Sequence, residues 1–566
     1  MDREQDPLKI PEILGAVLDA ELTGRYSTLA SACGVNKYWC SLARERLFAK
    51  IDLSVVLRLL PRDAWYIYDR AWSARLWCVA KFCPRRLNEF AHGTQTLRRV
   101  ITQDDWVTVS HLIVHVHEIV THGDYTELEE TEGVSEVSEW GKLALNRSVV
   151  YGTLARCLPN FRLFPRLHRL FVQSFGGEPG VSRLFVSPEL RAVHLEAVMH
   201  DFDASDCISA FVDETTGICP LQYMTLNHKI DSSEPGTLAL AERLLACTVL
   251  RGLEVDYIDP ILWPSVALLP SLQKLEIRWS PAVTFGPRNR ESDVPDFEDY
   301  EGADMPNDAD VLPSRHEIRG TAFPALKTLI FTHQEACSLT GVQLRTILEM
   351  RDAPWALEEL DIPFMTLDLN FKYSARTIFR YLRDHIRADT LTHLTLSTIH
   401  EWRRASMGYN PLSGISELFG FSQLTVLRLF CFFEAPMTFE PLDAAETQDI
   451  ARSFPRLREL QLAMPFLPSE IGVFALHCRD LRALALCPSG SDPDTDLSEL
   501  IWQNVAPAQT GPALQRFGIC TDHLSRPEKN WPYLHAYAHR LYPNATIREV
   551  PTLGIDNLAL NFYFEE

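Results

Sequence analysis

Apolar residues in this chain follow two regular patterns. From about residue 164 to 520 a short unit recurs with aliphatic or aromatic residues at its first, fourth and sixth places. The first six copies are Leu167/Leu170/Val172, Leu190/Val193/Leu195, Leu221/Met224/Leu226, Leu250/Leu253/Val255, Leu272/Leu275/Ile277 and Leu326/Leu329/Phe331. The next six are Leu357/Leu360/Ile362, Leu391/Leu394/Leu396, Leu424/Leu427/Leu429, Leu457/Leu460/Leu462, Leu481/Leu484/Leu486 and Leu514/Phe517/Ile519. Alternation at the last two places predicts a short strand, because successive strand residues point to opposite faces. Between units the period changes to that of a helix: Ile378, Phe379, Leu382 and Ile386 share one face, as do Ile471, Phe474, Ala475 and Cys478. Each unit therefore reads as strand, turn and helix. One such unit cannot bury its own apolar face, but stacked units share a continuous core. Successive first leucines lie 22 to 34 residues apart, with one interval of 54.

The first fifty residues carry only the helical pattern. Pro11 suits a first helical turn, where its missing N–H costs nothing. Ile13, Leu14, Val17 and Leu18 then form one stripe, Leu29, Ala32, Cys33 and Val35 a second, and Trp39, Leu42, Ala43, Leu47 and Phe48 a third. Three short helices expose more apolar surface than they can cover mutually, so a partner or the following domain must cover the rest. Residues 51–105 are expected to be a helical linker, with Trp65, Tyr68, Trp72, Leu76 and Val79 along one helix face.

Residues 1–50 resemble an F-box. Leu8, Pro11, Glu12, Ile13 and Leu14 match its early pattern with one residue fewer before Ile13, and Val35, Asn36, Lys37 and Trp39 match its late one. The resemblance implies that Leu8, Pro11, Ile13, Leu14, Val17, Leu18, Leu29, Val35 and Trp39 form or support an interface with the Skp-type adaptor of a cullin-RING ubiquitin ligase. The repeats have the period of leucine-rich repeats. Most of the chain resembles leucine-rich F-box proteins, including the large fungal families. Its repeats depart from the usual pattern at the ninth place, where Asn or Cys normally ladders to the backbone. Phe175, Val198, Lys229, Ile258 and Ser280 stand there instead. The expected fold is thus α/β: a three-helix F-box, then over residues 106–566 a curved, irregular leucine-rich-repeat-like solenoid with a parallel sheet on its concave face.

Charge is unevenly spread. The chain of 566 residues has a formal net charge of −21, and most of it sits in two windows, 124–139 with seven acidic residues and 291–310 with nine, neither containing Lys or Arg. Like charges at this density repel, so acidic loops are expected at about 122–141 and 281–315. Such a charge opposes nucleic-acid binding, which needs a positive patch. No apolar run is long enough to span a membrane and no leader pattern is present, so a cytoplasmic or nuclear location is expected. Thirteen cysteines without a Cys-x-x-Cys pair fit reduced thiols. The glycosylation patterns at Asn146 and Asn544 are then chance matches.

Catalytic chemistry lacks a local signature. His117, Glu118 and His122 imitate a zinc-protease motif, but the histidines are five apart rather than four and would not share a helix face. His111, His115 and His117 alternate as on one wet face of a strand. Asp492, Asp494 and Asp496 begin like a calcium loop, yet Leu497 and Gln503 stand where Gly and Glu are needed. No enzyme activity, metal or cofactor is expected. The reading is a substrate-recognition subunit whose F-box binds the adaptor and whose sheet binds a client protein; the alternative is a repeat scaffold with no ligase role. Strand positions between the leucines nominate His194, Glu254, Glu276, Arg278, Asp361, Arg428, Phe430 and Gln461 for client contact.

Overall fold

A computed structural model describes residues 14, 26–52, 60–68, 94–97, 99–120, 144–145, 147–157, 162–173, 181–196, 211–230, 236–258, 263–279, 322–333, 339–366, 375–400, 414–433, 442–466, 470–488, 514–520 and 527–550. The chain divides into two compact units, Met1–Leu269 and Pro270–Glu566.

The first unit opens with α1 (Tyr26–Cys33) and α2 (Lys37–Ala49). Asn36 caps α2, its side chain accepting hydrogen bonds from the Tyr38 and Trp39 N–H groups at 2.9 and 3.0 Å. The hairpin has its own small core of Leu14, Leu29, Ala32 and Ala43, with Tyr38, Trp39, Leu42 and Leu47 packed around it. The chain then runs straight from α2 into β1 (Lys50–Asp52), the first strand of a parallel sheet. That sheet continues through β4 (Glu118–Val120), β6 (Arg169–Gln173), β7 (Ala192–Glu196), β8 (Tyr223–Ile230) and β9 (Gly252–Ile258). Helices α4 (Arg147–Cys157), α5 (Gly236–Leu245) and α6 (Trp263–Ala267) lie between or after them in sequence.

The described residues between 51 and 105 differ from the expected helical linker. β2 (Trp65–Tyr68) and β3 (Thr94–Leu97) pair antiparallel, and β5 (Ala144–Leu145) joins β3 to make a separate three-stranded sheet. Trp-Tyr-Ile-Tyr is a strong strand sequence, and once Leu97 is opposite Trp65 the local helical spacing is overridden. Trp72, Leu76 and Val79 lie outside the described residues. The three alternating histidines do not form a strand either. α3 (Gln103–Ile113) holds His111 in its last turn, capped at the other end by the Thr102–Asp105 box, and His115 and His117 follow it on the way into β4.

The second unit repeats one theme. Its strands, β10 (Lys274–Trp279), β11 (Thr328–His333), β13 (Glu359–Thr366), β14 (His393–His400), β15 (Val426–Phe433), β16 (Glu459–Phe466), β17 (Ala483–Pro488), β18 (Arg516–Cys520) and β19 (Thr546–Val550), are parallel and adjacent in chain order. Off this path, β12 (Leu339–Thr340) pairs with β13. Helices α7 (Gly341–Leu348), α8 (Ala375–His385), α9 (Ala444–Ser453), α10 (Ile471–His477) and α11 (Pro527–Leu541) fall between the strands in sequence. The architecture is therefore α/β with long parallel ladders, as the repeat predicts.

Both units have the same cause. Every unit leucine or its substitute is buried, and the residues align in register: Leu329, Leu360, Leu394, Leu427, Leu460, Leu484 and Phe517 form one row across seven strands. Burying each is worth about 1.5–3 kcal/mol relative to exposure. The predicted stripe of α8 is buried as expected, at Ile378, Phe379 and Leu382.

The missing Asn ladder has a main-chain counterpart. Just before most of the strands, one carbonyl accepts two successive N–H groups from the next repeat. His168 O accepts from Arg191 and Ala192, Arg191 O from Gln222 and Tyr223, and Gln222 O from Arg251 and Gly252, at 2.7 to 3.0 Å. In the second unit the same bond recurs at the carbonyls of Gln273, Lys327, Glu358, Thr392, Thr425, Arg458 and Arg482. Main-chain groups are therefore satisfied between repeats without a specialised side chain.

Candidate interaction surfaces

Alternation along each strand sends the leucines to the core and their neighbours to the opposite, solvent-facing side. In the first unit this face has two rows. Glu118, Arg169, Ala192, Tyr223 and Gly252 are register partners at the strand starts, and Phe171, His194, Thr225 and Glu254 form the row two residues on. Of these, Glu118, Arg169, Phe171, Ala192, His194, Tyr223 and Thr225 line a groove of about 660 Å³.

Its shape follows from side-chain size. Gly252 leaves a gap that the Tyr223 ring fills: a Cβ there would lie 2.7 Å from Tyr223 Cδ1. Tyr223 thus leans toward Gly252 and away from Ala192, and the groove deepens over Ala192, whose methyl group cannot fill it. The Phe171 and His194 rings stack beside it at 4.1 Å between centroids and 10° between planes. Thr225 donates a hydrogen bond to Glu254 Oε2 at 3.1 Å. Glu118 pairs with Lys50 at 2.8 Å, and His168 stacks on His117 at 4.9 Å while contacting Glu189 at 2.8 Å.

In the second unit Glu276, Ile330, Asp361, Thr395, Arg428 and Gln461 form a single row. Arg428 donates to Glu459 Oε1 at 2.8 Å, and Gln461 Nε2 donates to the same oxygen at 2.6 Å. Burial pushes the Asp361 carboxyl up to about 6, with Glu359 and Glu276 adding repulsion and Arg428 opposing it. Its Oδ1 has no hydrogen-bond partner among the described residues. Lys274 and Arg278 flank Glu276 at 2.9 and 4.0 Å.

The structure thus brings His194 and Glu254 together on one face, and Glu276, Asp361, Arg428 and Gln461 on another. Gln461 departs from the surface role expected of it. It is 1% exposed, covered beside the Arg428–Glu459 pair. The backbone of Phe430 pairs with Ser397, and its side chain lies outside the described residues. Sequence reasoning passed over Phe171 and Thr225, although they occupy the same unit position as His194. It also missed Arg169, Ala192 and Tyr223, two residues earlier, because no local pattern separates them from turn residues.

At the other candidate surface, Leu14 and Leu29 are buried in the helical hairpin and Trp39 is half-buried. Val35 is 58% exposed in the turn between α1 and α2. Leu8, Pro11, Ile13, Val17 and Leu18 lie outside the described residues.

No family model matches, and no curated protein matches. Among solved structures, an internalin from Listeria monocytogenes is similar at 10% identity and a TM-score of 0.28, over 69% of this chain and 84% of that one. A leucine-rich-repeat protein of Leptospira interrogans is similar at 13% identity and the same TM-score of 0.28, over 68% and 91%. Among the described residues no helix is long and apolar enough to cross a membrane.

Proposed function

We propose that this chain recruits a client protein to a cullin-RING ubiquitin ligase, its N-terminal helices binding a Skp-type adaptor and its parallel ladders binding the client. Catalysis belongs to the partners, and the contribution of this chain is to raise the client's effective concentration beside them. The reading places it in the cytosol or nucleus. The observation that carries it is the α1–α2 hairpin, which closes a small core of its own around Leu14 and Leu29 while leaving Val35 open to solvent at the turn. Val35 gives an adaptor helix one exposed apolar contact point beside that core. The ladders offer a wide face of polar and aromatic side chains on a rigid backbone, which suits recognition of a protein rather than turnover of a small molecule.

Co-expression with a Skp-type adaptor tests this, using Val35→Asp as the variant because an exposed position changes the contact without disturbing the fold. A complex that the charge abolishes supports the reading. A folded intact chain that captures no adaptor overturns it.

One observation favours a plain repeat scaffold instead. α2 runs directly into β1, the His117 N–H donates to Ala49 O at 3.0 Å, and Lys50 pairs with Glu118. Helices joined in this way can serve simply to cap the first strand of the sheet.

A further inference from the structure

We propose that the groove over Ala192 in the first unit binds a client segment in which Asp or Glu side chains flank an apolar one. The inference rests on the client-binding reading and specifies the chemistry of that contact.

Three observations converge. First, Arg169 and Arg191 line the groove, and among the described residues neither guanidinium has a hydrogen-bond or ion-pair partner. The nearby carboxylates are already engaged, Glu118 by Lys50 and Glu189 by His168. Two uncommitted arginines on a chain of net charge −21 are a local reversal of sign. A guanidinium presents a planar fork that matches a carboxylate with two parallel hydrogen bonds. Second, the floor between them is apolar and open, with Ala192 below, Tyr223 held against Gly252 on one side and the Phe171–His194 stack on the other. An apolar side chain fits there against ring faces. Third, the strands beneath are hydrogen-bonded on both sides, so no free edge is available for strand addition and recognition must come from side chains. Charge complementarity selects a short acidic segment. A long polyanion such as nucleic acid would meet the repulsion of the whole molecule.

The test is fluorescence anisotropy of the full chain with a fluorescein-labelled peptide, Ser-Glu-Asp-Leu-Glu-Ser. Controls replace its acids with lysines, replace its leucine with serine, or carry phosphoserine at the ends with alanine in place of the acids. The acidic peptide is expected to bind, and Arg169→Glu or Arg191→Glu each to weaken it tenfold or more. Gly252→Ala is expected to weaken it too, by driving Tyr223 over Ala192. Arg482→Glu, exposed in the second unit, leaves binding unchanged. Circular dichroism confirms that each variant is folded. Equal binding of the lysine peptide, binding of the phosphoserine peptide alone, tighter binding of a single-stranded oligonucleotide, or indifference to both arginine reversals each overturns the proposal. Adaptor capture without acidic-peptide binding removes the groove and keeps the ligase reading, whereas the converse removes the ligase reading and keeps the groove.

Discussion

Single residues carry the sharpest electrostatic consequences. Burial raises the Asp361 carboxyl to about 6, above its value in an unfolded chain. Between about pH 4 and 6 the folded state therefore holds more protons than the unfolded one, so stability falls as pH rises through that window and is flat above it. Asp361→Asn removes this dependence. Urea titrations should show the variant more stable at pH 7 by about 1–3 kcal/mol, with little difference at pH 4. A variant less stable at pH 7 would mean that the charge is matched by Arg428 better than its burial suggests. Two thiols behave similarly: desolvation pushes the buried Cys478 up to about 12 and the half-buried Cys219 up to about 11. Both should resist thiol reagents at pH 8 in the native chain and react once it is denatured. Asp105 is the opposite case. Hydrogen bonds from Arg99 and Thr102 hold its carboxyl well below the usual range, so its contribution persists above that range and is lost only in strong acid. The composition of the repeat foretold none of these shifts, because each depends on neighbours from other strands or turns.

At the scale of elements, helices are fastened to the next repeat by charge as well as by leucines. Arg376, Arg380 and Arg383, on one face of α8, converge on Glu417 in the following short turn. Glu417 is only 11% exposed, while the arginines are about half exposed. Replacing it with Ala removes the counter-charge the three cations share and leaves Arg383 paired with Asp384 alone. The expected loss is about 1–3 kcal/mol, discounted for solvent around the arginines and smaller at high salt; thermal melts with and without added salt would measure it. The turn also depends on Gly414, which has φ of +94° and lies so close to Arg376 that a Cβ would be 2.4 Å from its Cγ. Gly414→Ala should destabilise the chain both through this contact and through a backbone region that L-residues avoid, by about 1–3 kcal/mol. An unchanged melting temperature would count against that geometry. The apolar stripe of α8 was legible from its spacing, but its arginine face gave no indication that one glutamate from the next repeat would gather it.

For the whole molecule, stability in a repeat array is a sum of neighbour contacts. Leu394→Ala in β14 should cost about 2–5 kcal/mol, since its side chain is fully buried. Hydrogen exchange should show the loss of protection centred on β13, β14 and β15 and fading toward β19, four strands beyond β15 in the ladder. Uniform loss across the second unit would mean stronger coupling than nearest-neighbour stacking provides. The sequence by itself determined the repeat, the parallel ladders, the buried leucines of every repeat unit and the helical pattern of residues 26–49. Those features follow from local periodicity, which burial enforces one repeat at a time. Only the tertiary structure decided that residues 65–68 form a strand, that β1 joins the sheet directly after α2, that Gln461 is covered, and that Arg169 and Arg191 flank an open floor at Ala192. Each of these depends on register between segments far apart in the chain, and local periodicity carries no information about which residue of one strand will face which residue of the next.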